Sequence, residues 1–287
     1  MTDKIKRTSL FSKHEALGAR IVPFAGFEMP LQYEGVIKEH LAVRTTAGVF
    51  DVSHMGEFIV KGKNAENFLN FITINDVSKI EIGQAQYSAM CYEDGGIIDD
   101  LLIYRYNNYY MLVVNAAHIE KDLNWLNEHI LDDVILENHS DEISLIAVQG
   151  HKSRDILSKI SKSDISDLSF YYFKEGTIAG CDITLARTGY TGELGFEIYG
   201  NAEDIPKVWD AIFNVGKPMG LVPTGLAARD TLRLEMKFCL YGNDIDKTTH
   251  PYEAGLGWIT KVDKGDFIGL EAIIERKANM ERRLVCV

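Results

Sequence analysis

The chain has 287 residues, 46% hydrophobic and 25% charged, which is ordinary globular material long enough for two domains or one large one. A net charge of −12 argues against nucleic acid or an anionic membrane as the main partner, since both call for a basic face. Residues 1–9 are polar and charged, and no apolar run approaches the roughly 20 residues that span a bilayer, so neither a signal peptide nor a membrane helix is read; the expected home is the cytoplasm, or a mitochondrial matrix after import.

In chain order, the spacing predicts a short helix over residues 10–17, with Thr8 as N-cap and Gly18 as its stop. An ordered, aromatic-rich loop is expected over 23–30, helical spacing over 34–47, one strand over 48–60 and a helix over 65–72. A three-stranded meander follows, with strands at 85–93, 97–106 and 109–115 separated by Asp94-Gly95-Gly96 and Asn107-Asn108, and then a helix over 117–130. Ile119, Leu123, Leu126 and Ile130 form the buried stripe of that helix. Beyond it come a strand at 143–150, a helix near 153–160, the aromatic run 170–173, short strands flanking Gly180 and Gly192, and helices over 202–215 and 224–236, the last capped by Thr224. The whole reads as α+β, with mostly antiparallel sheets and flanking helices. Residues 281–287 look like the start of a strand without the polar tail that commonly closes a domain, so the chain reads as a fragment.

Cys91, Cys181, Cys239 and Cys286 show no CxxC spacing, which disfavours structural zinc or an iron–sulfur cluster; they read as reduced, structural thiols. HExxH, GxSxG, a Walker-type loop and GxGxxG after a strand are all missing. His54, in Asp51-Val52-Ser53-His54-Met55, has no ligand-spaced partner and reads as structural.

Three motifs could carry chemistry. The first is Gly95-Gly96-Ile97-Ile98-Asp99-Asp100-Leu101-Leu102-Ile103-Tyr104, two carboxylates in an otherwise apolar strand. Alternation puts Asp100 on a face with Ile98, Leu102 and Tyr104, and Asp99 on a face with Ile97, Leu101 and Ile103. An unpaired ionised carboxylate there is expensive, so at least one should be hydrogen-bonded or poised against a cation. A strand-end Asp capping a loop would read the same way, and alternation does not choose between the two residues.

The second is Arg187-Thr188-Gly189-Tyr190-Thr191-Gly192-Glu193-Leu194-Gly195-Phe196-Glu197, where glycines at every third position let the backbone approach a flat ligand. Glu197 falls with Tyr199, opposite Phe196 and Ile198, and its carboxylate can accept two parallel hydrogen bonds from a guanidine-like heterocycle such as a pterin. A glycine-rich hairpin with an ordinary surface glutamate fits these residues as well. The third is Pro223-Thr224-Gly225-Leu226-Ala227-Ala228-Arg229-Asp230-Thr231-Leu232-Arg233. Arg229 and Arg233 lie one turn apart, a repulsion of ~0.2 to 0.5 kcal/mol that either an anionic ligand or an ion pair to Asp230 or Glu235 should offset.

Together, and in this order, these motifs resemble the T-protein family of the glycine cleavage system, the tetrahydrofolate-dependent aminomethyltransferases. The likeness begins at Lys6-Arg7-Thr8-Ser9-Leu10, continues through 24–30 and 50–57, and reaches Leu240-Tyr241-Gly242. The resemblance implies a discontinuous first domain over 1–50 and 140–250, an inserted βββα domain over 55–135, and 251–287 as the linker and truncated start of a C-terminal β-barrel domain. It implies transfer of the one-carbon unit from the aminomethyl-lipoyl arm of the H-protein to tetrahydrofolate, giving 5,10-methylenetetrahydrofolate and ammonia without metal or flavin. It assigns catalysis to Asp100, the pterin edge to Glu197, the folate pocket to Tyr87, Asn115, Tyr171 and Tyr190, with Arg229 nearby and Met55 in the pocket wall. Non-catalytic folate-binding proteins and demethylating oxidases share this fold. The iron–sulfur-associated relative carries a Lys-Gly-Cys-type motif where this chain has Arg187-Thr188-Gly189-Tyr190, and the oxidases join the module to a flavin domain not seen in this sequence. An adaptor with no ligand would leave the aromatic cluster and the Asp pair unexplained.

Overall fold

The computed structural model describes residues 5–285. They fall into two compact units, one formed by the described residues up to His54 with Ser140–Phe238, the other by Met55–His139 with the described residues from Cys239 onward.

The first unit is built on a six-stranded sheet in the order Phe173–Ile178, Cys181–Ala186, Gly195–Asn201, Ile143–Gln149, Ala47–Asp51, Leu221–Pro223. All its pairs are antiparallel except the last. Helix Ile205–Gly216 buries Ile205, Val208, Trp209 and Ile212 at helical spacing against Ile146, Val148, Phe196 and Ile198 of the sheet. Phe196 and Ile198 therefore face this core, as alternation requires, and Glu197 and Tyr199 the opposite side.

Residues 20–32 are a hairpin rather than a loop: Arg20–Phe24 pairs with Phe27–Gln32, and Lys6–Arg7 adds in parallel at the other edge. Its turn is Ala25-Gly26, both at positive φ, the primed geometry that strand twist favours but that an Ala-Gly pair does not advertise. The register skips Leu31, just past Pro30, where a missing N–H would otherwise break the ladder.

Two expected caps also fail. Thr8 gives its hydroxyl to the buried Asp51 at 2.6 Å, leaving Leu10 as N-cap of helix Phe11–Ala16. Thr224 donates to the Val222 carbonyl, and Gly225 caps helix Leu226–Glu235. The acceptor that anchors Gly225 is Glu39, a buried residue of helix Val36–Thr45. Its Oε2 takes Gly225 N–H at 2.8 Å and its Oε1 takes the N–H groups of Tyr33, Glu34 and Gly35 at 2.6, 3.0 and 3.0 Å. One carboxylate thus starts two helices.

The second unit is a five-stranded antiparallel sheet in the order Gln84–Cys91, Ile97–Arg105, Tyr110–Val114, Gly56–Lys61, Ile135–Asn138. The expected strand over 48–60 is two strands, Ala47–Asp51 and Gly56–Lys61, divided between the units at His54 and Met55. Helices Ala65–Ile72 and Ile119–Glu128 cover one face with Phe68, Leu69, Ile72 and Leu126. On the other, Ala89, Cys91 and Ile97 pack with Cys239, Ile245, Leu256, Phe267 and Ile273. Lys264 closes the helix Ala65–Ile72 from outside, giving its ammonium to the carbonyls of Asn70, Thr73 and Asn75, and burial lowers its pKa to about 7. Helix Leu270–Ala278 follows, and residues 281–285 carry no regular strand; 286 and 287 lie outside the described residues. Cys91, Cys181 and Cys239 are buried free thiols, and Cys286 is outside the described residues.

Replacing Glu39 with Ala strands four backbone donors. Unfolding in urea should show a loss of about 3–5 kcal/mol, the range expected when several buried donors lose a charged acceptor; a loss below ~1 kcal/mol would mean that water serves the four N–H groups equally well.

Candidate functional site

In the second unit the site grows out of one irregularity. The Asp94-Gly95 turn forms as predicted, with Gly95 at φ +81°, but the ladder then shifts: Cys91 opposes Ile97 while Met90 opposes Asp99, so Ile98 is an extra residue in its strand. This corrects the simple alternation. Ile98, with Leu101 and Ile103, belongs to the helix-covered core that also takes Met90, whereas Ile97 packs on the opposite face with Ala89 and Cys91. Asp99 keeps the company of Leu101 and Ile103, and Asp100 that of Leu102 and Tyr104, but the isoleucines have exchanged places.

Asp99 is wholly buried and Asp100 partly exposed. Tyr87, opposite Leu102 on the paired strand, donates its hydroxyl to Asp100 Oδ2 at 2.8 Å. The Asn115 Nδ2 group donates to Asp100 Oδ1 at 3.0 Å and to Asp99 Oδ1 at 2.8 Å, and Asn115 N–H to Asp99 Oδ2 at 3.3 Å. Burial first, then the charge of Asp99, push Asp100 up to about 7, against the pull of the Tyr87 and Asn115 hydrogen bonds. A carboxyl that changes charge near neutrality can hold or release a proton, or as the anion stabilise an adjacent cation. Trp258, 62% exposed, stacks on Tyr87 with centroids 6.1 Å apart and planes 26° apart. No motif pointed to Trp258, since a lone tryptophan at the end of the single 3-10 turn Leu256–Trp258 carries no pattern. Met55 sits half-buried at the head of strand Gly56–Lys61.

The first unit gathers a second group. Glu197 is buried, accepts the Thr188 hydroxyl on Oε2 at 2.5 Å, and has its pKa raised by burial against the opposing influence of Thr188, Arg229 and Tyr199. The Arg229 guanidinium lies 4.7 Å from the Tyr190 ring centroid, and Tyr190 in turn stacks on Phe238. Burial lowers the pKa of Arg229 while the charge of Glu197 opposes that shift, and its buried Nη1 meets no hydrogen-bond acceptor among the described residues. Tyr171 holds φ +65°, a conformation unusual for a tyrosine, and burial with the Glu197 charge raises its hydroxyl to about 12. Arg233 has the structural role open to it in the sequence, paired to Asp230 at 2.8 Å and bonded to the Phe238 carbonyl. Arg229 does not share it.

Gly189 and Gly195 serve a residue that the motif did not reveal. A Cβ at Gly189 or Gly195 would fall 2.2 Å from Gln149 Oε1, so their bareness makes room for the Gln149 side chain, which bonds the Thr188 carbonyl and the Thr191 hydroxyl. Gln149 thereby ties the loop to the Ile143–Gln149 strand. His54 is buried beside the Phe24 ring, edge-on at 5.4 Å, and is held neutral with a pKa of about 4 by burial and by Arg229. Among the described residues no cluster of three His, Cys, Asp or Glu could hold a metal ion, and no helix is long and apolar enough to cross a membrane.

A family description, the GCVT N-terminal domain, matches residues 10–264. The chain belongs to the GCVT family. The aminomethyltransferase of Chloroherpeton thalassium is 53% identical to it over 283 residues, 98% of this chain and 78% of that one. That of Flavobacterium psychrophilum is 52% identical, with 98% and 79% covered. The crystal structure of glycine cleavage system aminomethyltransferase T from Bartonella henselae superposes with a TM-score of 0.89 at 34% identity, over 96% of this chain and 75% of that one. A heterotetrameric sarcosine oxidase from Corynebacterium shares the fold alone, at 12% identity and a TM-score of 0.51. The resemblance first read from three motifs is thus a true membership of the GCVT family.

Within this GCVT chain, a carboxyl with a raised pKa opposes folding once it ionises. The unfolded state loses its Asp100 proton near pH 4 and the folded state near 7, so stability falls as pH rises between these values. Asp100→Asn removes the penalty. Urea unfolding should find it about 1–3 kcal/mol more stable than the parent at pH 8, with the gain gone at pH 4; equal stability at both would show that Asp100 ionises freely.

Proposed function

We propose that this chain is the aminomethyltransferase of a glycine cleavage system. It takes the aminomethyl group from the lipoyl arm of an H-protein, releases ammonia and delivers the one-carbon unit to tetrahydrofolate as 5,10-methylenetetrahydrofolate. Family membership and relatives named as aminomethyltransferases support the reaction class. The observation that carries the residue roles is Asp100, a partly exposed carboxyl fixed on both oxygens and poised to ionise near neutrality.

In this reading ionised Asp100 is the catalytic residue. It faces the cation that develops as the aminomethyl carbon loses its amine, and its fixed orientation means that little reorganisation is needed when charge appears. Tyr87 and Asn115 hold it in place and, with Met55, line the folate site. Glu197 receives the paired N–H edge of the pterin. Its Oε2 is already engaged by Thr188, and burial strengthens any charge-assisted bond it makes. Tyr171 and Tyr190 supply flat apolar walls, and the unsatisfied Nη1 of Arg229 is a donor prepared for a polar group of the substrate.

Ammonia release from aminomethylated H-protein in the presence of tetrahydrofolate should fall ~10²-fold or more in Asp100→Asn. Because the anion is the working form, the parent rate should rise with pH through about 7 and level off above it. Near-parental turnover by Asp100→Asn would remove that role. Glu197→Gln should weaken tetrahydrofolate binding, followed by Tyr/Trp fluorescence; unchanged affinity would mean that the pterin edge is held elsewhere.

A further inference from the structure

We propose that Tyr241 and Lys121 are positioning residues for the reaction: they hold the carbonyls of Ile97 and Ile98, immediately before the Asp99-Asp100 pair, and so fix where the Asp100 carboxyl stands. The proposal rests on the catalytic reading of Asp100.

A bulge takes backbone groups out of step with the partner strand, and the buried ones must find hydrogen bonds elsewhere. Ile97 and Ile98 are both fully buried, and they stand where the ladder shifts. The Ile97 carbonyl accepts the Tyr241 hydroxyl at 3.0 Å, and the Ile98 carbonyl accepts Lys121 Nζ at 2.6 Å. Both donors come from outside the sheet, Lys121 from helix Ile119–Glu128 and Tyr241 from the Leu240-Tyr241-Gly242 motif, which the mechanism above leaves without a use.

The chain around Tyr241 is shaped to lie against the bulge. Leu240 N–H donates to Asp244 Oδ2 at 2.9 Å and Gly242 N–H to the Ile245 carbonyl at 2.8 Å, which folds the segment back on itself. Further along, the Thr249 carbonyl accepts the Ile97 N–H at 2.9 Å, so residues 241–249 take both backbone groups of Ile97. Lys247 comes so near that a Cβ at Gly96 would fall 2.0 Å from its carbonyl oxygen. The bareness of Gly96 therefore admits this strap.

The two donors also brace each other. Lys121 Nζ lies 4.3 Å from the Tyr241 ring centroid and 3.8 Å from Asp122 Oδ1. Burial raises the pKa of the Tyr241 hydroxyl, which keeps its proton and remains a donor. His118 meets the same ring edge-on, with centroids 4.6 Å apart, and its Nδ1 stands 3.4 Å from Asp99 Oδ1.

The peptide group whose oxygen Lys121 holds is the one that carries the Asp99 N–H, and that group is planar and stiff. One further peptide leads to Asp100. Tyr87 and Asn115 orient the Asp100 carboxyl itself, whereas the clamp fixes the strand from which that carboxyl projects. Tyr241 and Lys121 thus act through the backbone and not on the reacting atoms.

The test is steady-state ammonia release from aminomethylated H-protein, measured well below the melting temperature of each variant. Tyr241→Phe keeps the ring and removes the hydroxyl, and Lys121→Met keeps the stem and removes the donor. Each should lower kcat about 10-fold, the scale on which misplacing a reacting group by less than an ångström costs rate, with KM for tetrahydrofolate within about threefold of the parent. Added to Asp100→Asn, Tyr241→Phe should cost nothing more, because the carboxylate through which it works is gone. Parental kcat in either single variant, a loss carried by KM alone, or a further fall of similar size in the Asp100→Asn background each overturns the proposal while Asp100→Asn itself remains impaired. Parental turnover by Asp100→Asn overturns the catalytic reading, and the positioning role with it.

Discussion

One amide group holds two carboxylates apart. Asn115 Nδ2 donates to both Asp99 and Asp100, and among the described residues no second donor is seen to serve both. Successive residues of a strand point in opposite directions, so a side chain that reaches both must sit at the end of the ladder. Asn115 does, directly after strand Tyr110–Val114, whose Val114 pairs with Leu101. The bulge at Ile98 leaves the alternation of the two acids intact and exchanges the faces of the isoleucines before them.

Much of this was legible in the sequence, and the gaps have physical causes. Asp94-Gly95 announces its hairpin because only a few residue pairs tolerate the turn, and helix Ala65–Ile72 was placed to the residue because its apolar spacing is strict. The bulge left no local trace, since Ile97 and Ile98 are equally apolar and either could face either core. The 20–32 hairpin was hidden by two prolines and by an Ala-Gly turn whose positive φ is set by its surroundings. Thr8 and Thr224 looked like caps because cap preference is local, whereas their actual partners, Asp51 and the Val222 carbonyl, are settled by tertiary packing.

The site residues divide in the same manner. Alternation did put Glu197 opposite Phe196 and Ile198, and one of the two arginines did prove structural. The choice of Asp100 over Asp99 came from the resemblance, and the structure shows a difference between them: Asp99 is wholly buried while Asp100 reaches partial exposure. Gln149 and Trp258 could not be found from pattern. Gln149 acts by filling the space that Gly189 and Gly195 leave, so its signal is the glycines, read as room for a side chain rather than for a ligand.

Arg229 shows why burial and function are hard to separate here. A guanidinium with an unsatisfied buried nitrogen is destabilising on its own terms, and the ring of Tyr190 and the charge of Glu197 offset only part of that. Asp100 carries the same kind of strain, an acid kept from ionising freely by its surroundings. A fold selected only for stability would replace both with apolar residues of similar volume. Glu39 and Asp51, buried polar groups of the same structure, have their hydrogen bonds satisfied, and that contrast is what supports the roles proposed for Arg229 and Asp100.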